Sequence, residues 1–308
     1  MADVTLARGL RGAERVLAAI GNTPLLRIDG IWVKLEFLNP SGSIKARLAR
    51  YLIERAEQEG LLGPGGVIVE ASSGNTGNAL SMVAAMKGYR MVVVMPRGMS
   101  EARAAISRAF GAEVIFAGDF HVNEALALAR ELGRRPGWFC PGQFDTEWNV
   151  EENRTWLGRE ILGQLAPTVP DAFVMGVGTG GTLIGVGQAF RAVNPAARLI
   201  AVEPAESCTL ACGEACLHAL EGISDGFIPG IIARHRHAID GIMAIDGPAA
   251  LAEMHRIARE TGLLVGPTSG AHLVAARRLR DQHPELATVV TVFADAGWKY
   301  LGEHFAGH

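Results

Sequence analysis

The sequence predicts an α/β protein built from parallel sheets with helices on both faces. Short apolar runs rich in β-branched residues alternate with helical patterns along the 308 residues. Several helical patterns end in glycine, which is a common signal for a helix C-terminus. Because ligands in such folds bind at the carboxyl ends of strands, we expect functional residues in strand-to-helix turns.

The predicted strands and helices follow from these apolar runs and helical patterns. Strands are expected at Val67–Glu70, Met91–Met95, Val114–Phe116, Ala172–Met175, Leu199–Val202 and Val289–Phe293. Helices are expected at Ile44–Glu59, Asn78–Lys87, Glu101–Phe110, Val122–Leu132, Glu151–Leu165, Leu183–Val193, Pro248–Thr261, Ala271–Gln282 and Trp298–Phe305. The uncharged stretch from Ala172 to Phe190 is long enough for a bilayer, but its glycines favour a strand, a turn and a helix.

Composition excludes several classes of protein. With 49% hydrophobic and 20% charged residues, the chain is neither disordered nor fibrous. The formal net charge is −3, so a nucleic-acid partner is not expected. The segment MADVTLARGLRGAER lacks the apolar core of a signal peptide, so we expect a cytoplasmic protein without a membrane partner.

The four cysteines are too few for a disulfide scaffold and favour a reducing compartment. Cys208, Cys212, Cys216 and His218 would share a face if this segment were helical, which allows a metal or redox site. Their spacing matches no known zinc pattern. Unpaired thiols are therefore the expected state, Cys140 included, and no metal site is predicted.

Three glycine-rich turns connect predicted strands to predicted helices: SSGNTG at Ser72–Gly77, GVGTGGT at Gly176–Thr182 and GPTSGA at Gly266–Ala271. Glycine permits close backbone approach, and the following helix presents unpaired N–H groups and the positive end of its dipole. These turns therefore predict anion-binding sites.

The middle turn also allows a different interpretation. Gly176, Gly178 and Gly181 satisfy G-x-G-x-x-G after a strand, and Glu203 ends the next strand. This arrangement is typical of dinucleotide binding, so an NAD-dependent oxidoreductase is an alternative.

A lysine follows a turn and opens a long helical pattern. In KLEFLNPSGSIKAR, Lys45 comes after Pro-Ser-Gly-Ser. A partly desolvated lysine at the positive end of a helix has its ammonium form disfavoured, as a Schiff-base amine or general base requires. A solvated first-turn lysine is the structural alternative.

Together these motifs resemble the fold-type II pyridoxal phosphate (PLP) enzymes, and within them the cysteine synthase (O-acetylserine sulfhydrylase) and cystathionine β-synthase group. The resemblance covers nearly the whole chain, and the motifs occur in family order. They are GNTPLLRI (Gly21–Ile28), NPSGSIKAR (Asn39–Arg47), SSGNTG, GQF (Gly142–Phe144), GVGTGGT, GISDGFIP (Gly222–Pro229), GPTSGA and DAGWKYL (Asp295–Leu301).

The resemblance implies a role for each matching position. Lys45 would carry PLP and act as the base on the substrate Cα, Asn75 would bond the ring hydroxyl oxygen, and Thr268 would face the pyridine nitrogen. The residues that would hold the phosphate are Gly178, Thr179, Gly180, Gly181 and Thr182. The residues that would bind the substrate carboxylate are Ser72, Ser73, Gly74, Thr76 and Gln143.

The resemblance also implies an architecture of two three-layer, doubly wound α/β domains with PLP in the cleft between them. Residues 38–146 would form a smaller, mobile domain, and residues 1–37 and 147–308 a larger one that binds the PLP phosphate. Members of this family are usually homodimers, so a homodimer is expected.

The implied activity is PLP-dependent β-replacement, most simply O-acetylserine plus sulfide to L-cysteine plus acetate through an α-aminoacrylate. Thr268 agrees with it, because a hydroxyl cannot hold the ring nitrogen protonated and so favours chemistry at Cβ over transamination. Relatives use serine and homocysteine, O-phosphoserine or diaminopropionate precursors, or degrade cysteine, so the substrates stay open. A non-catalytic relative is a further alternative.

The sequence departs from the family pattern at a few positions. Ala46 replaces a common aspartate, Ser72 a threonine and Thr268 a serine, and the last two keep the hydroxyl. Asp225 makes GISDGFIP more acidic than usual; it would cap its loop, meet a substrate amine or exclude an anionic nucleophile.

Overall fold

A computed structural model describes residues 13–97, 101–118 and 122–305 and contains two sheets. The larger sheet has six strands in the order β1 (Leu25–Ile28), β2 (Ile31–Leu35), β10 (Val289–Phe293), β7 (Ala172–Gly176), β8 (Arg198–Pro204) and β9 (Gly241–Ile245). β1 and β2 are antiparallel, and the other neighbouring pairs are parallel.

The smaller sheet has four parallel strands from one continuous part of the chain. Their order is β5 (Glu113–Phe116), β4 (Arg90–Met95), β3 (Val67–Ala71) and β6 (Trp138–Phe139). The domain boundaries at residues 38–146 against 1–37 and 147–308 remain a prediction. Leu17 and Ile20 pack in the apolar cluster of this smaller sheet, together with Ile68.

The helices connect and cover these strands. They are α1 (Ala13–Ala18), α2 (Lys45–Gln58), α3 (Asn75–Lys87), α4 (Glu101–Ala109), α5 (Val122–Leu132), α6 (Glu147–Glu152), α7 (Arg159–Leu165), α8 (Gly181–Val193), α9 (Gly230–His235), α10 (Gly247–Thr261) and α11 (Pro267–Gln282). A π-helical stretch, Asn153–Gly158, joins α6 to α7, and short 3₁₀ turns lie at Glu36–Leu38, Arg236–Ala238 and Gly297–Tyr300.

Each sheet is covered on both faces, which confirms the predicted α/β class. Along β7, Ala172 and Val174 enter one apolar cluster, whereas Phe173 and Met175 enter another on the opposite face. A strand buried on both faces needs apolar residues at every position, which is why β7 reads as an uninterrupted apolar run. The smaller sheet has the same three-layer arrangement.

Two predicted helices are wrong in detail. The segment Glu151–Leu165 is not one α-helix, because a π-helical stretch separates α6 from α7. The segment Trp298–Phe305 consists of a 3₁₀ turn followed by a π-helical turn, Leu301–Phe305. The uncharged stretch Ala172–Phe190 forms β7, a turn and α8 as predicted, and among the described residues no helix is long and apolar enough to cross a membrane.

The expectation of unpaired thiols is wrong for two of the four cysteines. Cys208 and Cys212 form a disulfide with their Cα atoms 5.6 Å apart, and they lie in a turn rather than on a helix. A turn brings residues four apart together as a helix does, so the spacing alone did not distinguish the two. Cys140 and Cys216 are free. Residues 1–12, most of the segment on which the signal-peptide prediction rests, lie outside the described residues.

Candidate active site

The predicted site residues meet at two adjoining cavities at the carboxyl ends of β3 and β7. Both cavities contain Lys45, Asn75, Gly178 and Thr179. The first also contains Ser72, Ser73, Gly74, Thr76 and Gln143, and the second also contains Gly180, Thr182 and Thr268. Among the predicted residues only Gly181 does not line either cavity; it begins α8 directly behind them.

Lys45 is the first residue of α2 and projects into both cavities. Burial lowers the pKa of its amine, against the opposing influence of the carboxylates of Asp225 and Asp295. The preceding turn is fixed to the end of β10, because the Ile44 N–H donates to the Ala294 carbonyl at 2.8 Å. The structure therefore presents a buried amine with a reduced tendency to hold its proton.

The glycine turn before α8 has the geometry of an anion-binding cradle. Gly180 has a φ of +87°, which favours glycine, and a Cβ at Gly181 would collide with the Asn149 side chain. The Asn149 amide also donates to Thr179 Oγ1 at 3.0 Å and so fixes the hydroxyl. The first-turn N–H groups of a 13-residue helix have no intrahelical partners, so they can bind a phosphate.

A buried histidine holds this cradle against the neighbouring strand. The Gly176 N–H donates to His272 Nε2 at 2.8 Å, and His272 Nδ1 lies 2.8 Å from the Val292 carbonyl. These two bonds require a neutral ring with its proton on Nδ1. Burial lowers the pKa of His272 to about 4, which agrees with that state. His272 therefore connects β7 to β10 beneath the cavity.

The SSGNTG loop is organised by its own side chains. Ser72 Oγ accepts the backbone N–H groups of Gly74 at 3.2 Å and Gly77 at 2.9 Å. Thr76 Oγ1 donates to Gln143 Oε1 at 2.6 Å, and Gln143 Nε2 donates to the Ala71 carbonyl at 2.8 Å. These contacts shape the N-terminus of α3, where backbone N–H groups can receive a carboxylate.

Glu70, in β3, fixes the position of Gln143 through a backbone hydrogen bond. Its two carboxylate oxygens accept the backbone N–H groups of Ala71 at 2.9 Å and Gln143 at 3.0 Å. Burial raises the pKa of Glu70 to about 7, although these N–H groups oppose the shift. The end of β3 and the Gly142–Phe144 motif are therefore joined at the edge of the site.

Three functional residues near Asn75 were not assigned from the sequence. Lys299 Nζ donates to Asn75 Oδ1 at 2.5 Å, and Asn75 Nδ2 donates to Asp295 Oδ2 at 2.8 Å. The Tyr300 hydroxyl donates to the same Asp295 oxygen at 2.5 Å. The available signal was the DAGWKYL motif, whose Asp, Lys and Tyr are the residues of this network.

Asp225, Ala46 and Glu203, which the sequence also singled out, lie in three different environments. Asp225 lines the first cavity. Ala46 is fully buried in the apolar cluster of the smaller sheet, so a carboxylate there would need its own buried partner. Glu203 accepts the backbone N–H groups of Leu210 at 2.8 Å and Ala211 at 3.2 Å. Its carboxylate is thus committed to a loop and not available to a ribose.

The residues around the cavities fit PLP. An aldehyde needs an amine, and Lys45 supplies a buried one. A phosphate needs a helix N-terminus, and the α8 turn supplies it with the hydroxyls of Thr179 and Thr182 alongside. The polar atoms of the ring need hydrogen-bond partners, which Asn75 and the buried Thr268 hydroxyl can provide.

Comparison with known proteins agrees with this chemistry. A family model described as pyridoxal-phosphate dependent enzyme matches residues 16–295. A cysteine synthase of Staphylococcus aureus is 39% identical over 297 residues, which cover 94% of this chain and 95% of the relative. The O-ureido-L-serine synthase of Streptomyces lavendulae is 38% identical over 294 residues, covering 93% and 90%.

Solved structures show the same similarity. A crystal structure of O-ureido-L-serine synthase has a TM-score of 0.88 and 38% identity, covering 95% of both chains. An O-acetylserine dependent cystathionine β-synthase from Helicobacter pylori has a TM-score of 0.88 and 35% identity, covering 94% of this chain and 97% of its own. The dinucleotide interpretation is therefore wrong. The chain belongs to the pyridoxal-phosphate dependent enzyme family, and its cofactor is PLP.

Proposed function

We propose that the chain catalyses β-replacement and converts O-acetylserine and sulfide into L-cysteine and acetate. The observation that carries the proposal is that one buried amine, Lys45, lies between the N-termini of α3 and α8. The names of similar proteins, cysteine synthase and O-acetylserine dependent cystathionine β-synthase, support the same reaction class.

In this proposal the N-termini of α3 and α8 each bind one anion. The phosphate of PLP binds at the α8 turn, and the substrate carboxylate binds at the Ser72–Thr76 loop before α3. When bound, PLP withdraws electrons from the substrate Cα, which makes loss of its proton and of the Cβ substituent feasible. The two anion sites orient the substrate so that its Cα faces Lys45.

Lys45 moves the proton. Its buried amine accepts the Cα proton, the Cβ–oxygen bond breaks and acetate leaves, and a Cβ–sulfur bond then forms with sulfide. Lys45 Nζ returns the proton to Cα before cysteine is released. Burial lowers the pKa of Lys45, which favours the neutral amine that begins this sequence.

Thr268 favours replacement over other amino-acid chemistry. A hydroxyl that faces the pyridine nitrogen does not keep it protonated, so the electron withdrawal required for transamination is weakened. Asp225 adds a negative charge to the lining of the cavity, so we expect O-phosphoserine to be a poorer substrate than O-acetylserine.

Three properties of the whole molecule belong to the same proposal and are supported by the family resemblance. Residues 38–146 close over the substrate and exclude water. The protein acts as a homodimer, and it acts in the cytoplasm.

The test is a visible absorption spectrum of the holoenzyme before and after O-acetylserine, and again after sulfide, with cysteine assayed as the product. We expect a spectral change with O-acetylserine that sulfide reverses. Lys45→Ala should bind PLP noncovalently and lose turnover by at least about 10³-fold. Lys87→Ala, a lysine at the far end of α3 that pairs with Glu57, is the matched control and should retain activity.

Other outcomes would redirect or reject the proposal. A holoenzyme that is inert to O-acetylserine but responds to serine with homocysteine, O-phosphoserine, a diaminopropionate precursor or cysteine would move the reaction to that substrate pair. A holoenzyme that responds to none of them would indicate a non-catalytic relative.

A further inference from the structure

The side-chain amide of Asn75 lies between two groups of opposite charge. Its oxygen faces the Lys299 ammonium at 2.5 Å, and its nitrogen faces the Asp295 carboxylate at 2.8 Å. Both charged residues come from the segment after β10, whereas Asn75 begins α3 next to the smaller sheet. The contact therefore joins parts of the chain on either side of the cavity.

These charges determine which way the amide points. An isolated asparagine amide can exchange its oxygen and nitrogen at little cost. Here a flip would place the NH₂ group against the Lys299 ammonium and the oxygen against the Asp295 carboxylate. Two charge-assisted hydrogen bonds would become two repulsive contacts. In this orientation one Nδ2–H of Asn75 binds Asp295, and its second Nδ2–H can donate to a ligand.

The charged partners are themselves held in place. Asp295 is 2% exposed, and its Oδ2 accepts from the Tyr300 hydroxyl as well as from Asn75. Lys299 Nζ also donates to the Gly42 carbonyl at 3.0 Å, in the turn that precedes Lys45. Burial lowers the pKa of Lys299, and the neighbouring Asp295 carboxylate opposes this shift. The network is therefore preorganised around the cavity.

We propose that Lys299 and Asp295 are positioning residues that fix the Asn75 amide so that its remaining N–H donates to the ring hydroxyl oxygen of PLP. Both act through Asn75 and neither needs to touch the cofactor. The inference rests on the PLP site of the proposed function but does not depend on which substrates are used.

The experiment compares two cofactors on the apoenzyme. PLP has the ring oxygen, and 3-deoxypyridoxal 5′-phosphate lacks it. Dissociation constants for both are measured for the wild type, Lys299→Met, Lys299→Arg and Asp295→Asn, together with the pH dependence of the bound cofactor's absorption. Lys87→Met is the matched control, because Lys87 lies at the opposite end of α3 from Asn75.

We expect Lys299→Met to weaken PLP binding about tenfold, the effect of one hydrogen bond, and to leave binding of the deoxy analogue within about twofold. Lys299→Arg keeps a cation that can donate to Asn75 and should restore PLP affinity. Asp295→Asn, which removes the charge that opposes a flip, should also weaken PLP selectively and shift the pH titration of its absorption band.

Two results would overturn the inference. Equal weakening of both cofactors would mean that Lys299 supports the Gly42 turn and not the Asn75 amide. Unchanged PLP affinity in both Lys299→Met and Asp295→Asn would mean that the amide needs no fixing. Asp295→Asn preserves shape, so it remains informative if Lys299→Met does not fold. None of these measurements requires turnover, so failure of the proposed β-replacement would be recognised separately.

Discussion

Arg47 and Glu36 form a two-point ion pair in which both side chains are completely buried. Arg47 Nε donates to Glu36 Oε2 at 2.7 Å, and Nη2 donates to Oε1 at 2.8 Å. Glu160 accepts from the same guanidinium at 2.8 Å. Burial raises the pKa of Glu160, but hydrogen bonds from Arg47 and Lys34 outweigh it and hold the pKa at about 2. Because Arg47 lies two residues after Lys45, this cluster anchors the first turn of α2.

The first prediction concerns removal of this guanidinium. Arg47→Met would leave the Glu36 and Glu160 carboxylates facing one another without their shared cation. We expect the free energy of unfolding to fall by about 3–5 kcal/mol, measured by urea denaturation of the apoenzyme. Arg50→Met on the same helix removes a partly exposed pair with Glu54 and should cost no more than about 1 kcal/mol. Equal losses in both variants would contradict the anchoring role.

The second prediction concerns the neutral histidine beneath the phosphate cradle. The pKa of His272 is about 4 in the folded chain, against an ordinary value of 6.5 when unfolded. Below pH 6.5 the unfolded chain therefore binds a proton that the folded chain does not. Stability is lost as the pH falls from 6.5 towards 4, and the loss reaches about 2 kcal/mol by pH 4.5.

His272→Gln isolates this effect, because glutamine does not titrate and offers both a donor and an acceptor. Urea unfolding at pH 7 and pH 4.5 should show a smaller acid loss in His272→Gln than in the wild type, by that same 2 kcal/mol. His283→Gln, just after the end of the same helix, changes a partly exposed histidine paired with Glu285 and serves as control. Identical acid losses in the wild type and His272→Gln would disprove the assignment.

Uniform burial helps to predict a strand, but it does not decide every case: β5 was predicted although it is only partly buried. β10 was predicted at its observed bounds because all five residues are buried and all but Thr291 are apolar. Four strands were missed. β1 and β9 are partly exposed edge strands with weaker patterns. β6 has only two residues, and β2 is almost fully buried but includes Lys34. The π-helical stretch Asn153–Gly158, which interrupts a predicted helix, was also missed. Gly158 packs closely against Ala189 of α8, and the local sequence does not reveal this contact.

In the candidate site, the local motifs could be predicted from the sequence and the contacts between distant residues could not. Lys45 and the glycine turns are local motifs, in which the spacing of neighbouring residues carries the information. The partners of Asn75 are 220 and 224 residues away in sequence, so only the fold brings Asp295 and Lys299 to it. The role of His272 also depends on the fold, because its partners Gly176 and Val292 lie on two different strands.

The third prediction concerns the thiols. In the native, unreduced protein, alkylation should modify Cys216 quickly, because it is exposed. Cys140 should react slowly, since burial raises the pKa of its thiol to about 12 and little thiolate is present at neutral pH. Cys208 and Cys212 should become reactive only after reduction. Mass spectrometry with Cys216→Ser as control assigns each site, and rapid labelling of Cys208 without reductant would argue against the disulfide.

The last prediction concerns a buried carboxyl close to Lys45. Glu152 is 1% exposed, and its Oε1 has no hydrogen-bond partner among the described residues. Arg47, the cation that lowers its pKa most, is already shared by Glu36 and Glu160. Burial therefore raises the pKa of Glu152 to about 8, although Arg47 opposes the shift, and the carboxyl is mostly protonated at neutral pH.

The pKa of Glu152 is higher in the folded protein than in the unfolded chain, so the free energy of unfolding falls as the pH rises. The stability that protonated Glu152 confers is present below about pH 4.5 and is lost as the pH rises through 8. Between pH 5 and pH 8 we expect the wild type to lose about 3 kcal/mol more than Glu152→Gln, whose amide mimics the protonated carboxyl. Glu151→Gln, the partly exposed neighbour, is the control and should follow the wild type. If Glu152→Gln loses as much stability as the wild type over this range, then Glu152 is ionised in the folded protein and contributes a negative charge next to Lys45.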